Sequence, residues 1–206
     1  MEAQVQFSGV IFGRDGNLYG ADHAGGANER GTIYELISSW SGWTENVLYT
    51  FSGGTDGGRP TGLIFDQSGN LYGGASSGGA NDDGAVFELT PSGQSWSYSV
   101  LYSFSNGGHG QFNPGPNANL VMDKGGNLYG TTKADGAYGY GSVFKLTPSN
   151  GSWTYIPLHD FTDGADGAYP FSNVVFDSNG NLYGTASAGG TGCAPNGCGV
   201  VWEIIP

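Results

Sequence analysis

One pentapeptide, Gly-Asn-Leu-Tyr-Gly, occurs four times, starting at Gly16, Gly69, Gly126 and Gly180. Its asparagines, Asn17, Asn70, Asn127 and Asn181, are 53, 57 and 54 residues apart. A near-constant period of this size marks a repeated supersecondary unit. Such a unit cannot cover its own apolar faces, so copies must stack on one another.

Every copy has the same order of parts. An apolar run comes first: Val10-Ile11-Phe12, Leu63-Ile64-Phe65, Leu120-Val121-Met122 and Val174-Val175-Phe176. Asp66, Asp123 and Asp177 follow in three copies, and Gly13 takes that place in the first. Gly-Asn between β-rich runs is a hairpin signal. After Leu-Tyr-Gly comes a long Gly-rich loop. A third strand follows: Thr32-Ile33-Tyr34-Glu35-Leu36, Ala85-Val86-Phe87-Glu88-Leu89, Ser142-Val143-Phe144-Lys145-Leu146 and Val200-Val201-Trp202-Glu203-Ile204. A Thr-Pro-Ser turn is expected to close it in copies two and three. The fourth strand runs from Trp43, Trp96 or Trp153 to Phe51, Phe104 or Phe161. Strict alternation in Trp96-Ser97-Tyr98-Ser99-Val100 gives it two unlike faces. No stretch has helical periodicity. The prediction is an all-β chain forming one β-propeller domain over 1–206, with four repeats of about four antiparallel strands and four blades. The repeats fall at approximately 9–60, 61–117, 118–171 and 172–206.

The string Gly-Asn-Leu-Tyr-Gly, then Gly-x-Val-Phe-x-Leu-Thr-Pro, then Trp…Leu-Tyr-x-Phe-Ser-x-Gly-x-Asp-Gly resembles the bacterial GloVer tandem-repeat family, named for Gloeobacter and Verrucomicrobia. The resemblance covers nearly the whole chain. It implies propeller architecture in a secreted or surface-anchored protein, and it brings no catalytic signature. The anchoring signal that such proteins often carry is not seen.

A propeller joins its last blade to its first, and the fourth copy reaches Pro206 straight after its third strand. Two readings are open. Residues 1–8 supply the missing outer strand, with Val5-Gln6-Phe7 matching Tyr49-Thr50-Phe51, and close a four-bladed monomer. Alternatively, Phe7-Ser8-Gly9-Val10 matches Phe171-Ser172-Asn173-Val174 and merely leads into the first strand. The last blade is then open, and an open edge invites pairing with a second copy.

Composition narrows the partners. The chain has 40 Gly and 9 Pro, which alone would suggest disorder, but also 5 Trp, 12 Tyr and 11 Phe that can bury apolar surface. Its net charge of −12 repels nucleic acid and anionic membrane alike. No apolar run approaches membrane-spanning length. Met1-Glu2-Ala3 leads almost directly into repeat material without a secretory leader. That start is read as a sequence boundary, not as evidence for the cytosol. Cys193 and Cys198 flank Ala-Pro-Asn-Gly, where a tight turn would bring the sulfurs together. A local disulfide is expected, and with it an extracellular location. No metal ligand set accompanies the cysteines, and no cofactor is expected.

Strand order puts the Gly-Asn and Thr-Pro-Ser turns at one end of every blade and the long loops at the other. Long loops on a rigid scaffold are where binding residues gather. The candidates there are His23, Arg30, Asp56 and Arg59 from the first copy, and Asp82, Asp83 and His109 from the second. Lys133, Asp135, Tyr138, Tyr140, Asp163, Asp166 and Tyr169 come from the third. Asp22 and Glu29 lie on the same loops. Unconstrained loops diverge in the same way, so divergence alone is not evidence of a site. The repeated Tyr19, Tyr72, Tyr129 and Tyr183 read as inter-blade core. Glu35, Glu88 and Glu203 are rejected as a catalytic pair because Lys145 holds the same place in copy three. Asp177-Ser178-Asn179-Gly180-Asn181 resembles the opening of a calcium loop but lacks the later bidentate Glu. Asp66, Asp123 and Asp177 need no role beyond hydrogen bonding their turns.

The expected function is a non-catalytic extracellular binding module, with a polysaccharide or other glycan as its ligand on the long-loop face. Two alternatives stand beside it: a polysaccharide hydrolase or lyase using Asp56, Asp82, Asp83, Asp163 or Asp166, and a structural or adhesion repeat protein.

Overall fold

The computed structural model describes residues 9–105, 113–192 and 197–205. Among them, the first sheet runs β1 (Ile11–Phe12), β2 (Leu18–Asp22), β3 (Thr32–Ser39), β4 (Gly42–Thr50). The second runs β5 (Gly58–Phe65), β6 (Leu71–Ser77), β7 (Ala85–Ser92), β8 (Ser95–Ser103). The third contains β9 (Val121–Met122), β10 (Leu128–Thr132), β11 (Ser142–Ser149) and β12 (Ser152–Asp160). In the fourth, β13 (Ala168–Pro170) and β14 (Val175–Phe176) share one edge of β15 (Leu182–Ala188), and β16 (Val200–Ile204) takes the other. Each repeat is thus one antiparallel four-stranded sheet, a blade, and the fold is all-β and propeller-like. No helix among the described residues is long and apolar enough to cross a membrane.

The inner strand of blade 2 begins at Gly58, ahead of the repeat boundary at 61. A register shift between Pro60 and Leu63 bends it. In blade 4 the same bend separates β13 from β14, and in blade 3 only the pair Pro116–Thr132 remains of the first half. The expected Thr-Pro-Ser turn is corrected. Pro91 pairs with Trp96 and Ser92 with Ser95, so the tripeptide ends β7. The turn itself follows at Gly93, whose φ of +64° suits the hairpin. Proline is tolerated there because it sits at a strand end.

The core lies between blades, not within them. Tyr19 meets Phe65 edge-on at 5.0 Å and Trp96 at 6.0 Å across the first junction. Tyr72 meets Trp153 at 6.0 Å across the second, and Tyr129 meets Phe176 at 5.1 Å across the third. Farther out, Tyr49 stacks on Tyr98 at 3.9 Å and Tyr102 on Tyr155 at 4.4 Å. Tyr19, Tyr72 and Tyr129 are therefore inter-blade core, as the repeat implies, whereas Tyr183, on the last blade, has no following blade to pack against among the described residues and is only half-buried. Among the described residues β16 has no outer neighbour, and residues 1–8, which would fill that place, lie outside them.

Candidate functional site

The two ends of the blades use their polar atoms differently. At the short-turn end, Asp66 builds the hairpin. Its Oδ1 accepts the Ser68 and Asn70 N–H groups at 2.8 Å each, and its Oδ2 accepts Asn70 Nδ2 at 2.9 Å and the Tyr72 hydroxyl at 3.3 Å. Asp123 and Asp177 repeat the arrangement. Blade 1 reaches it from another position. Asp15, two residues beyond Gly13, accepts from Tyr19 and Asn17. A Cβ on Gly13 would strike the Tyr19 ring and the Asp15 carboxylate, which is why aspartate is absent there. The recurrent glutamates complete the knot. Tyr19, Tyr72 and Tyr183 hydroxyls lie 2.9, 2.9 and 2.7 Å from Glu35, Glu88 and Glu203. In blade 3, Lys145 lies over the Tyr129 ring instead. The Asp177 carboxylate is occupied by four donors, which leaves the calcium-like sequence no lone pair aimed outward.

Grooves of about 730 and 780 Å³ open between these turns, one lined by Phe12, Phe65, Trp96 and Met122, the other by Met122, Phe176 and Ile205. Sequence reasoning assigned this end nothing. Its carboxylates are spent on the turns, and the polar side chains beside the apolar walls are Arg14, Gln67 and Lys124 in the first groove and Lys124, Ser178 and Asn179 in the second.

At the long-loop end several expected site residues are turn builders. Asp56 accepts the Tyr49 hydroxyl at 3.0 Å, the Ser52 N–H at 2.8 Å and the Ser52 hydroxyl. Burial pulls its carboxyl upward, and the Ser52 and Tyr49 hydrogen bonds more than reverse that, leaving it below the usual carboxylate value. Asp166 is the equivalent in the third loop, bound to Thr162 and to His159 Nε2 at 3.1 Å. A carboxylate held ionised in this way is a poor general acid. Asp82 adopts a φ of +64° and accepts the Gly78 N–H at 3.1 Å. Asp83 bridges to Gly78 along the backbone. Asp163, with a φ of +62°, donates its N–H to Gly167 O at 3.1 Å. Asp135 is buried.

Two pairs tie neighbouring blades together. The Arg59 N–H donates to Arg30 O at 2.6 Å, and the Tyr169 N–H donates to Tyr140 O at 2.7 Å. The Tyr140 and Tyr169 rings meet edge-on at 5.8 Å, while Tyr138 is exposed. His109 lies outside the described residues, as does Cys193. Cys198 is disulfide-bonded, and Cys193 is the only other cysteine in the sequence.

Of the expected residues that lie among the described ones, His23 alone lines the axial cavity at this end, a space of about 460 Å³. Thr61, Asn113, Asn117 and Ala118 line it as well, with Asn119, Phe171, Asn173 and Gly9. These positions come from all four blades. No carboxylate is among the described lining residues. The Asn119 N–H donates to Asn173 Oδ1 at 3.0 Å, and Asn117 Nδ2 donates to Gly115 O at 2.7 Å. The Asn119 side-chain amide and Asn173 Nδ2 have no hydrogen bond among the described residues. Phe171 exposes about half its surface, with Lys133 Nζ 5.8 Å from its ring centroid. The cavity therefore offers amide donors and acceptors beside an aromatic face. One sequence signal for it existed. Thr61, Asn117 and Phe171 each follow a repeated proline (Pro60, Pro116, Pro170) and differ between otherwise matching copies.

A family model described as Gloeobacter/Verrucomicrobia repeat matches residues 6–206. No curated protein matches the chain. Among solved structures, a Thermus thermophilus protein described as a putative oxidoreductase (glucose dehydrogenase) superposes with a TM-score of 0.57 at 15% identity, over 100% of this chain and 63% of that one. A Dyadobacter fermentans protein of unknown function matches with a TM-score of 0.47 at 16% identity, over 85% of this chain and 60% of that one. The chain thus spans less than two thirds of either solved chain.

Proposed function

The chain belongs to the Gloeobacter/Verrucomicrobia repeat family, and from that premise we propose that it is a non-catalytic extracellular binding module whose axial cavity takes a glycan. The carrying observation is the cavity wall itself: the Asn119 side-chain amide and Asn173 Nδ2, neither hydrogen-bonded among the described residues, beside the half-exposed Phe171 ring. Amides match the paired donors and acceptors of sugar hydroxyls, and an aromatic face matches the apolar face of a pyranose. The Cys198 disulfide supports an oxidising location. The oxidoreductase description of the Thermus chain does not carry over, because at 15% identity only the fold is shared and folds host unrelated chemistries.

A glycan array followed by calorimetry on plant and bacterial polysaccharides tests this reading. Binding is expected, with Phe171→Ala and Asn119→Ala each weakening it about tenfold. Silence across a broad panel, or affinity indifferent to both changes, would remove the glycan.

A further inference from the structure

The three junctions follow one rule. One face of each blade, carrying Tyr19, Ile33 and their equivalents, packs on the opposite face of the next, carrying Phe65, Trp96 and theirs. Among the described residues, one half of this interface is unmatched on blade 4 and the other half on blade 1. On blade 4, Val201 is 78% exposed, whereas its equivalents Ile33, Val86 and Val143 are 0% exposed. Val175, across β15 on the same blade, is 56% exposed. On blade 1, Phe12 is 74% exposed, although its equivalents Phe65, Met122 and Phe176 all pack against a preceding tyrosine-bearing blade. Trp43, the equivalent of Trp96 and Trp153, is 53% exposed.

We propose that these faces form a head-to-tail interface, with blade 4 of one copy of this chain packing on blade 1 of a second copy. Val201, Val175 and Tyr183 of one copy would meet Phe12 and Trp43 of the other, as Tyr19 meets Phe65 and Trp96 within the chain, with Ile33 and Ile11 in the same cluster. The occupant is a second copy because the mating surface on each side is this chain's own repeat interface, continued. A detail at the rim agrees. Within the chain, Tyr98 and Tyr155 stack on an outer-strand tyrosine of the preceding blade. At the same place in blade 1 stands the exposed Glu45, and blade 4 has no outer strand among the described residues for a ring to stack on. Each end lacks what the other would have received. The exposure of Val201 and Phe12 in the single chain shows that these two faces do not meet each other within it. A heterologous contact of this kind gives a closed ring where the rotation closes and a chain of copies where it does not.

Sedimentation and light scattering across a concentration series test the proposal. The unmodified chain is expected to gain mass as concentration rises. Phe12→Glu and Val201→Glu each bury an unpaired charge in the contact and are expected to weaken association at least about a hundredfold. Both residues are exposed in the single chain, so circular dichroism of the two variants should match the unmodified protein. The two variants mixed keep one intact face of each kind and should form a species of two copies and no larger. A chain that stays monomeric at its highest soluble concentration overturns the proposal. So do variants that associate like the unmodified protein, or a mixture that stays monomeric.

Discussion

Asp56 and Asp166 hold equivalent loops with different third partners, the Tyr49 hydroxyl in one and the His159 ring in the other. Both carboxyls lie below the ordinary value: burial raises them, but the hydroxyl and N–H donors lower them further. Tyr49 is correspondingly pushed up to about 12, first by burial and then by the Asp56 carboxylate. A depressed folded-state value stabilises the fold at pH above the unfolded carboxyl value, near 4, and the gain is lost as pH falls through the folded value. Asp56→Ala should cost about 2 kcal/mol at neutral pH, and the difference should shrink below about pH 4. Urea unfolding at pH 7, 5 and 3 measures it; an equal deficit at all three would mean that the contribution is not that of the ionised group. The turn role of Asp66, Asp123 and Asp177 was legible in the sequence because it recurs before each Gly-Asn. The Asp15 substitute was not, since a carboxylate displaced by two residues breaks the alignment while preserving the geometry.

The second glycine of Gly-Asn-Leu-Tyr-Gly has a reason at the scale of the strand. On the middle strand of each blade, a Cβ at Gly20, Gly73, Gly130 or Gly184 would meet the ring of Tyr34, Phe87, Phe144 or Trp202 on the next strand. The ring lies across the glycine and fills the place of its missing side chain. For Gly73 the nearest ring atom, Phe87 Cζ, would be 2.5 Å away, and Phe87 is fully buried. Gly73→Ala should therefore destabilise by about 1–3 kcal/mol through overpacking. In a Phe87→Leu background the same change should cost clearly less, since a shorter side chain leaves room. A double-mutant cycle in urea reads the coupling, and additive costs would show that the ring is not what the glycine accommodates. Strand order and type were legible because glycine, aromatic and turn residues recur at fixed offsets. The broken inner strand of blade 4 was not, because the bend at Phe171-Ser172-Asn173 depends on the neighbouring blade, where Asn119 N–H bonds Asn173.

Across the whole molecule the blades form a one-dimensional stack, and each depends on its neighbours for its apolar cover. That also explains what of the site could be read beforehand. The long-loop end follows from strand parity within one repeat. The cavity does not, because Thr61, Asn117 and Phe171 converge only when different blades meet around the axis, and no single repeat contains the wall. Stability is distributed in the same way. Blades 2 and 3 are covered on both faces, whereas blade 4 is covered on one and ends in β16, whose outer edge has no partner among the described residues. Local opening should therefore need less free energy in β15 and β16 than in β6, β7, β10 and β11. Native-state hydrogen exchange across low urea concentrations measures this, and the Phe12→Glu variant is the protein to use, so that association does not shield the end blade. Protection is expected to fall from the middle blades toward blade 4, with β16 amides opening below the global free energy. If β16 exchanges only with global unfolding, its exposed face is stabilised from within the chain, and the stack is more cooperative than its three junctions imply.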